Sequence, residues 1–390
     1  MMDRVLVDSG RAIAVCMAGV VVGAFVLEPT ESSAQDGAPP GAPQVVLQLA
    51  PGPDNPRNSE GDFLWLRGGR LMFAYSRFEG GRGDHDRAVI AARYSSDQGR
   101  RWTDSDRVLV AAEGRWNVMS VSLVRLPDGR IAMFYLRKNS LEDCRPVMRV
   151  SRDEGDTWSE ARECIQDQVG YYVMNNDRAY LSSSGRLILP VALHNVPGQE
   201  KPDWNGKVMC YLSDDMGQSW RRSKSVLVAE ENGRRLVAQE PGVVELKDGR
   251  LWMWVRSNAG CQLVSYSEDG GDTWSPLVRS NIISPLSPAS IERIPATGDL
   301  LLVWNDHSSI PPELAGKRTP LCVAVSSDDG RTWRNQRTIA ADPDGWYCYT
   351  AIEFVGNHVL LGHCAGNRKV DGGLAKTDIT RFSLEWLYAE

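Results

Sequence analysis

Short apolar runs alternate with Gly-, Asp- and Pro-rich turns along nearly the whole chain, and the alternation repeats. Six stretches carry a Gly-containing turn followed by an apolar strand. They are LRGGRLMFAYSR from Leu66, LPDGRIAMFYLR from Leu126, SSSGRLILPVAL from Ser182, LKDGRLWMWVRS from Leu246, PATGDLLLVWND from Pro295 and FVGNHVLLGHCA from Phe354. Each predicts a hairpin whose second strand is rich in β-branched and aromatic residues. A second pattern, S-x-D-x-G-x-x-W, runs out of phase with the first. It starts at Ser95, Ser151, Ser213, Ser267 and Ser326, at steps of 56, 62, 54 and 59 residues. A period this long marks an array of supersecondary units.

Within the second pattern the Asp can accept bonds from backbone N–H groups, the Gly permits positive φ, and the Trp can fold back over the hairpin as an apolar plug. That describes a staple for a hairpin and assigns it no chemistry. Two hairpins per unit give four strands, and six units predict an all-β, six-bladed β-propeller of four-stranded antiparallel blades. No long amphipathic helix pattern competes. The apolar segment Val45–Leu49 is free to add to the last blade and close the ring. Antiparallel order puts the start of each innermost strand, and the loop between the second and third strands, on one face. The Asp-containing turns fall on the other. The former loops are long and chemically varied, for example SRFEGGRGDHDRA from Ser76 and NDHSSIPPELAGKRTP from Asn305. Varied loops on a rigid scaffold are where function is usually carried, so the site is expected there, over the central channel.

The N-terminus has a different character. Arg4 and Arg11 precede an apolar run from Ala12 to Leu27, and Ser32-Ser33-Ala34 offers small residues for cleavage. Residues 1–34 are therefore expected to be a secretory signal peptide, 35–44 a linker, and 45–390 the propeller. Loss of the signal moves the net charge from −6 to −4. No basic field for nucleic acid results, and no other stretch is apolar enough for a membrane span. An exported monomer, secreted or periplasmic, is expected. Seven cysteines remain once Cys16 is removed, an odd number that leaves at least one unpaired. Cys144 and Cys164 bracket the second box hairpin and are the expected pair. Cys210, Cys261 and Cys322 read as core thiols. The spacings fit no zinc pattern, and neither metal nor cofactor is expected.

Box hairpins within six four-stranded units resemble the sialidase (neuraminidase) superfamily over essentially residues 50–390. The resemblance implies a retaining glycoside hydrolase acting on a sugar whose anomeric carbon bears a carboxylate. Arginine forks suit that anion. A Tyr paired with a Glu replaces a carboxylate nucleophile, which the substrate's charge would repel, and an Asp serves as acid and then base. Residue by residue, the family's positions fall on Arg57 in NPRNSEGDFLWL, Asp84 in GRGDHDRAV (with Asp86 as rival), Glu240 in AQEPGVVEL, Arg256 in MWVRSNAG, Arg318 in GKRTPLCVAV and Tyr349 in WYCYTAIEF (with Tyr347 as rival). The family's usual R-I-P string is absent around Arg57. Arg77 and Arg137 end equivalent strands and are candidates to line the channel as well. Glu60, Asn175, Asn176, Asp177, His194, Asp306, His307 and Trp346 are further top-face candidates.

The resemblance implies an exo-α-sialidase releasing terminal sialic acid, or a related nonulosonic acid, from a glycan. In it Asp84 is acid/base, Tyr349 nucleophile, Glu240 its base, and Arg57, Arg256 and Arg318 hold the carboxylate. A non-catalytic carbohydrate-binding propeller and a hydrolase or lyase for another acidic sugar are the alternatives.

Overall fold

The computed structural model describes residues 39–389. The expected signal peptide, Cys16 and the start of the expected linker lie outside the described residues. The six repeats fold into antiparallel sheets, and four of them are separate four-stranded sheets. The first unit comprises Arg57–Trp65, Leu71–Phe78, Ala88–Ser95 and Arg107–Val110. The second is Asn117–Arg125, Ile131–Ser140, Asp143–Ser151 and Arg162–Glu163. The third has a broken innermost strand, Tyr171–Val173 and Tyr180–Leu181, followed by Leu187–Asn195, Lys207–Ser213 and Arg221–Arg222. A parallel bridge between Tyr171 and Cys144 joins the second and third units into one sheet. The fourth runs over Ala238–Glu245, Leu251–Ser257, Cys261–Ser267 and Val278–Ile283, and the fifth over Ser290–Arg293, Leu300–Trp304, Leu321–Ser326 and Arg334–Ala340. The last comprises Gly345–Val355, His358–Asn367 and Thr377–Ser383, and its outermost strand is Gln44–Leu49 from the other end of the chain. The expected addition of the N-terminal segment is therefore present. It begins earlier than expected: the carbonyl of Gly41, within the predicted linker, accepts from Ser383 N. Among the described residues no helix is long and apolar enough to cross a membrane.

Six apolar clusters hold the sheets together; five are shared by two neighbouring units, and one, which includes Phe78 and Ala88 of the first unit, reaches across the first three. Here the box tryptophans correct an expectation. Trp102, Trp158, Trp220, Trp274 and Trp333 do not simply cover their own hairpins; each packs in the cluster shared with the preceding unit. Trp333, for example, stacks on Trp252 of the fourth sheet at 6.4 Å. The rest of each box behaves as the sequence suggests. Ser326 Oγ accepts from Gly330 N at 2.8 Å, and Asp328 Oδ1 accepts from Thr332 N at 2.9 Å. This network holds the Asp328 carboxyl down at about 2.

The innermost strands meet around a common axis. Asn176 Nδ2 donates to Gly61 O and to Tyr349 O, tying three units together. Asp62 Oδ2 accepts from Leu123 N, and Ser290 Oγ donates to Thr350 O. Four innermost strands break register at the same place, between Ser59 and Asp62, Met119 and Ser122, Gln239 and Gly242, and Cys348 and Ala351. The extra residue sits in the left-handed region in each: Glu60 (φ 53°), Ser120 (60°), Glu240 (50°) and Tyr349 (56°). Asp177 in the broken third strand does the same (55°). A bulge re-aims a side chain that the two-residue period would otherwise send into a sheet face. Such non-glycine residues cost on the order of 1–3 kcal/mol each, and they concentrate at functional sites.

Candidate active site

The repeated bulge builds the site. Glu60, Ser120, Glu240 and Tyr349 all line one cavity of about 500 Å³ at the start of the innermost strands. Asp84, Arg256 and Arg318 line it too. Five of the six sequence-derived site residues thus share one space.

Tyr349 Oη donates to Glu240 Oε1 at 3.4 Å, and Arg256 Nη1 forms an ion pair with the same oxygen. The Arg318 guanidinium lies over the Tyr349 ring at 5.3 Å and over Trp346 at 5.0 Å. Burial, and then the Glu240 charge, push the Tyr349 phenol up, while Arg318 and Arg256 pull it down. In the free site the phenol is therefore neutral, with a carboxylate positioned to take its proton. Among the described residues the buried donors Arg256 Nε, Arg318 Nε and Asn175 Nδ2 have no partner, nor does the acceptor Glu240 Oε2. All four atoms belong to residues lining the cavity. Buried polar groups rarely stay unpaired, so this set suits a polar, anionic ligand.

Asp84 enters from the glycine-rich loop of the first unit. Its backbone carbonyl accepts from Asn117 Nδ2 at 2.9 Å and from Lys138 Nζ at 2.8 Å, which pins the loop to the second unit. Its side chain remains 60% exposed. Burial of its surroundings works against charge, but Arg57 outweighs this and holds the carboxyl below its ordinary range. The rival Asp86 instead caps its own turn, accepting from Gly83 N at 2.8 Å. The rival Tyr347 is 7% exposed and packs in the apolar seam between the fifth and last units, edge-on to His363.

Arg57 departs from expectation. It is 1% exposed and is not part of the cavity lining. Its Nη2 donates to Glu60, its Nε to Ser59 Oγ, its Nη1 to Arg82 O and Asp84 Oδ1, and its plane covers Phe78. Two carboxylates therefore occupy the fork that was expected to meet the substrate. Arg77 and Arg137 also turn away, to Glu79 and Asp106 and to Glu163. Of the other top-face candidates, Glu60, Asn175, His194 and Trp346 line the cavity. Asn176 is a tie between strands, Asp177 lines a different cavity, Asp306 bonds Ser308 and Gln336, and His307 bonds Thr319 O.

Sequence reasoning missed Lys138, Tyr171 and Trp204. Lys138 is 3% exposed, has no carboxylate partner among the described residues, and sits over the Tyr171 ring at 5.5 Å. Strict alternation contained the signal: Arg137 faces out, so its neighbour faces in. Trp204 is 50% exposed at the rim and stands beside His194 at 5.4 Å. Nothing in its loop distinguishes it in sequence.

The expected Cys144–Cys164 bridge is not formed; all seven described cysteines are buried free thiols. Cys164 N bonds Pro146 O, whereas Cys144 stands opposite Lys138 and Tyr171, so the two are out of register. Among the described residues no cluster of three or more His, Cys, Asp or Glu is arranged to hold a metal ion.

Comparison with known proteins agrees with this architecture. The chain is 27% identical to an anhydrosialidase of Macrobdella decora over 171 residues, which is 41% of this chain and 20% of that protein. It is 30% identical to a sialidase of Micromonospora viridifaciens over 131 residues, 31% of this chain and 18% of that protein. The match therefore spans about a fifth of the length of these curated relatives. Among solved structures, the NanB sialidase of Streptococcus pneumoniae superposes with a TM-score of 0.68 at 15% identity, covering 88% of this chain and 70% of that one. A Dyadobacter fermentans protein of unknown function gives 0.69 at 16% identity, covering 88% and 100%. At such identities the likeness concerns the fold alone. The BNR repeat-like domain profile matches residues 69–359, and the chain belongs to that family within the sialidase superfamily.

Proposed function

We propose that the chain is an exported retaining glycoside hydrolase of sialidase type, built as a six-bladed propeller, that releases a terminal sialic or related nonulosonic acid from a glycan. The observation that carries this reading is the Tyr349–Glu240 contact, bracketed by Arg256 and Arg318 and sharing a cavity with Asp84. Arg256 and Arg318 hold the substrate carboxylate, using their unpartnered Nε atoms. Tyr349 Oη attacks the anomeric carbon and Glu240 accepts its proton. Asp84, once released from Arg57, takes up a proton from solvent, delivers it to the departing oxygen and later withdraws one from water. Arg57 reaches the substrate anion only once Asp84 lets go of it; until then it keeps Asp84 ionised. Trp204 at the rim offers an aromatic face to the sugar beyond the scissile bond. Release of sialic acid from a fluorogenic sialoside or a sialoglycan by the purified chain, lost in Tyr349→Phe, is the expected result. Intact substrates, with wild type and Tyr349→Phe behaving alike, contradict it.

The closed fork of Arg57 favours a second reading, a hydrolase or lyase for another acidic sugar. A product screen on uronate-containing polysaccharides separates the two.

A further inference from the structure

Cys348 and Cys364 lie in one hairpin, Gly345–Val355 with His358–Asn367, and are direct cross-strand partners. Direct partners in an antiparallel ladder have Cα atoms about 4.5–5.5 Å apart. A disulfide spans about 4.4–6.8 Å. No other two of the described cysteines face each other in a ladder. Both side chains are buried, at 2% and 0% exposure.

The two thiols differ. Burial raises the Cys348 thiol, but the adjacent Cys364 thiol and the neighbouring Arg318 guanidinium outweigh it, so its pKa falls below the ordinary thiol value. Burial, together with the adjacent Cys348, pushes Cys364 up. Across the hairpin each thiol lies within reach of the other. Position adds interest. Cys348 immediately precedes Tyr349, at the register break that aims that residue into the cavity.

We propose that Cys348 and Cys364 are a disulfide-forming pair that oxidation closes across this hairpin, fixing the bulge that presents Tyr349. The oxidant is a small-molecule or protein disulfide, R–S–S–R. The Cys348 thiolate attacks one of its sulfurs, breaking the S–S bond and releasing the first thiolate. Cys364, giving up its proton, then attacks the Cys348 sulfur of the mixed disulfide and releases the second. The protein loses two electrons and two protons, and the oxidant leaves as two thiols. Folding buries the pair, so exchange takes place while the locally paired hairpin is still exposed to solvent.

The test uses the full chain, reduced, unfolded, and refolded in a mixture of reduced and oxidised glutathione, then alkylated in denaturant without reductant. The expected result is two fewer alkylated thiols than in a reduced control and a cross-linked peptide joining Cys348 to Cys364. The unfolding midpoint should also rise by about 3–6 °C, as a loop of roughly 15 residues allows. The double variant Cys348→Ser/Cys364→Ser should show neither change. Alkylation of every thiol after oxidative refolding, or a cross-link joining another pair such as Cys144 and Cys164, overturns the proposal. The wild-type peptide map decides the matter even if the variant does not fold. Because the readout is chemical, it stands or falls separately from whether the chain cleaves sialosides.

Discussion

Two cavities sit toward opposite ends of the same innermost strands, and they handle charge in different ways. The one at the strand starts pairs opposite charges around an open space: Glu240 with Arg256, Asp84 with Arg57, and Arg318 over Tyr349. The other, about 410 Å³, gathers Asp62, Asp177, Glu292 and Glu353 around Arg178. There burial and mutual repulsion push the carboxyls up, to about 7 for Asp177 and Glu353. Arg178, 4% exposed, is committed to Ala289 O and Ser290 Oγ. The first region keeps buried charge and leaves donors unpaired, as a binding site must. The second neutralises its carboxyls with protons and turns the Nη atoms of Arg178 onto Ala289 O and Ser290 Oγ, leaving Arg178 Nε as its one unpaired donor among the described residues. Perturbed titration alone would favour the second cavity. Geometry, and the larger set of unpartnered polar atoms at Asn175, Glu240, Arg256 and Arg318, favour the first.

The sharpest way to break this contrast is at Tyr349. Tyr349→Phe should lower turnover by roughly 10²–10⁴-fold while leaving the unfolding midpoint nearly unchanged, which thermal unfolding alongside a sialoside assay will show. The mirror-image change is Arg178→Met. Removing one partner of a buried charge cluster should cost about 3–5 kcal/mol, read by denaturant unfolding, with substrate affinity in the remaining folded protein little altered. Were Arg178→Met instead to abolish turnover in a fully stable protein, the division between the two cavities would fail.

A third expectation concerns pH. Asp177 and Glu353 hold protons more tightly when folded, near 7, than in the unfolded chain, where such groups titrate near about 4. Their contribution to stability is therefore complete below about pH 4 and is lost as pH rises through about 7. Unfolding free energy should fall by on the order of 3 kcal/mol for each group over that interval, and Asp177→Asn should flatten the slope. A stability that rises with pH across this window would contradict the protonated cluster. The smallest effect separates two neighbours. Asp86→Asn should alter turnover by less than about threefold and stability by about 0.5–1 kcal/mol, the worth of one turn hydrogen bond. Asp84→Asn should cost turnover far more, most of all with poor leaving groups.

Local rules made the fold legible. The Gly turns and S-x-D-x-G-x-x-W boxes set the phase of the strands, and the phase placed Asp84, Glu240, Arg256, Arg318 and Tyr349 on one face. What stayed hidden depends on contacts between units. The box tryptophans seal seams with the preceding unit, a fact no single repeat contains. The bulges at Glu60, Ser120, Glu240 and Tyr349 carry no glycine at the left-handed residue, so nothing in their letters announces positive φ. Arg57 looked free because its two carboxylate partners, one three residues on and one in a distant loop, could be weighed only in three dimensions. Lys138 was visible in the alternation but was overshadowed by Arg137.

Attack of Tyr349 on the sugar can be captured directly. A 2,3-difluorinated sialic acid donor slows release of a covalent glycosyl-enzyme, so peptide mass spectrometry can locate the attachment. One adduct on Tyr349, absent from Tyr349→Phe, is expected; an adduct on another residue, or none while sialic acid is still released, rules out Tyr349 as the nucleophile.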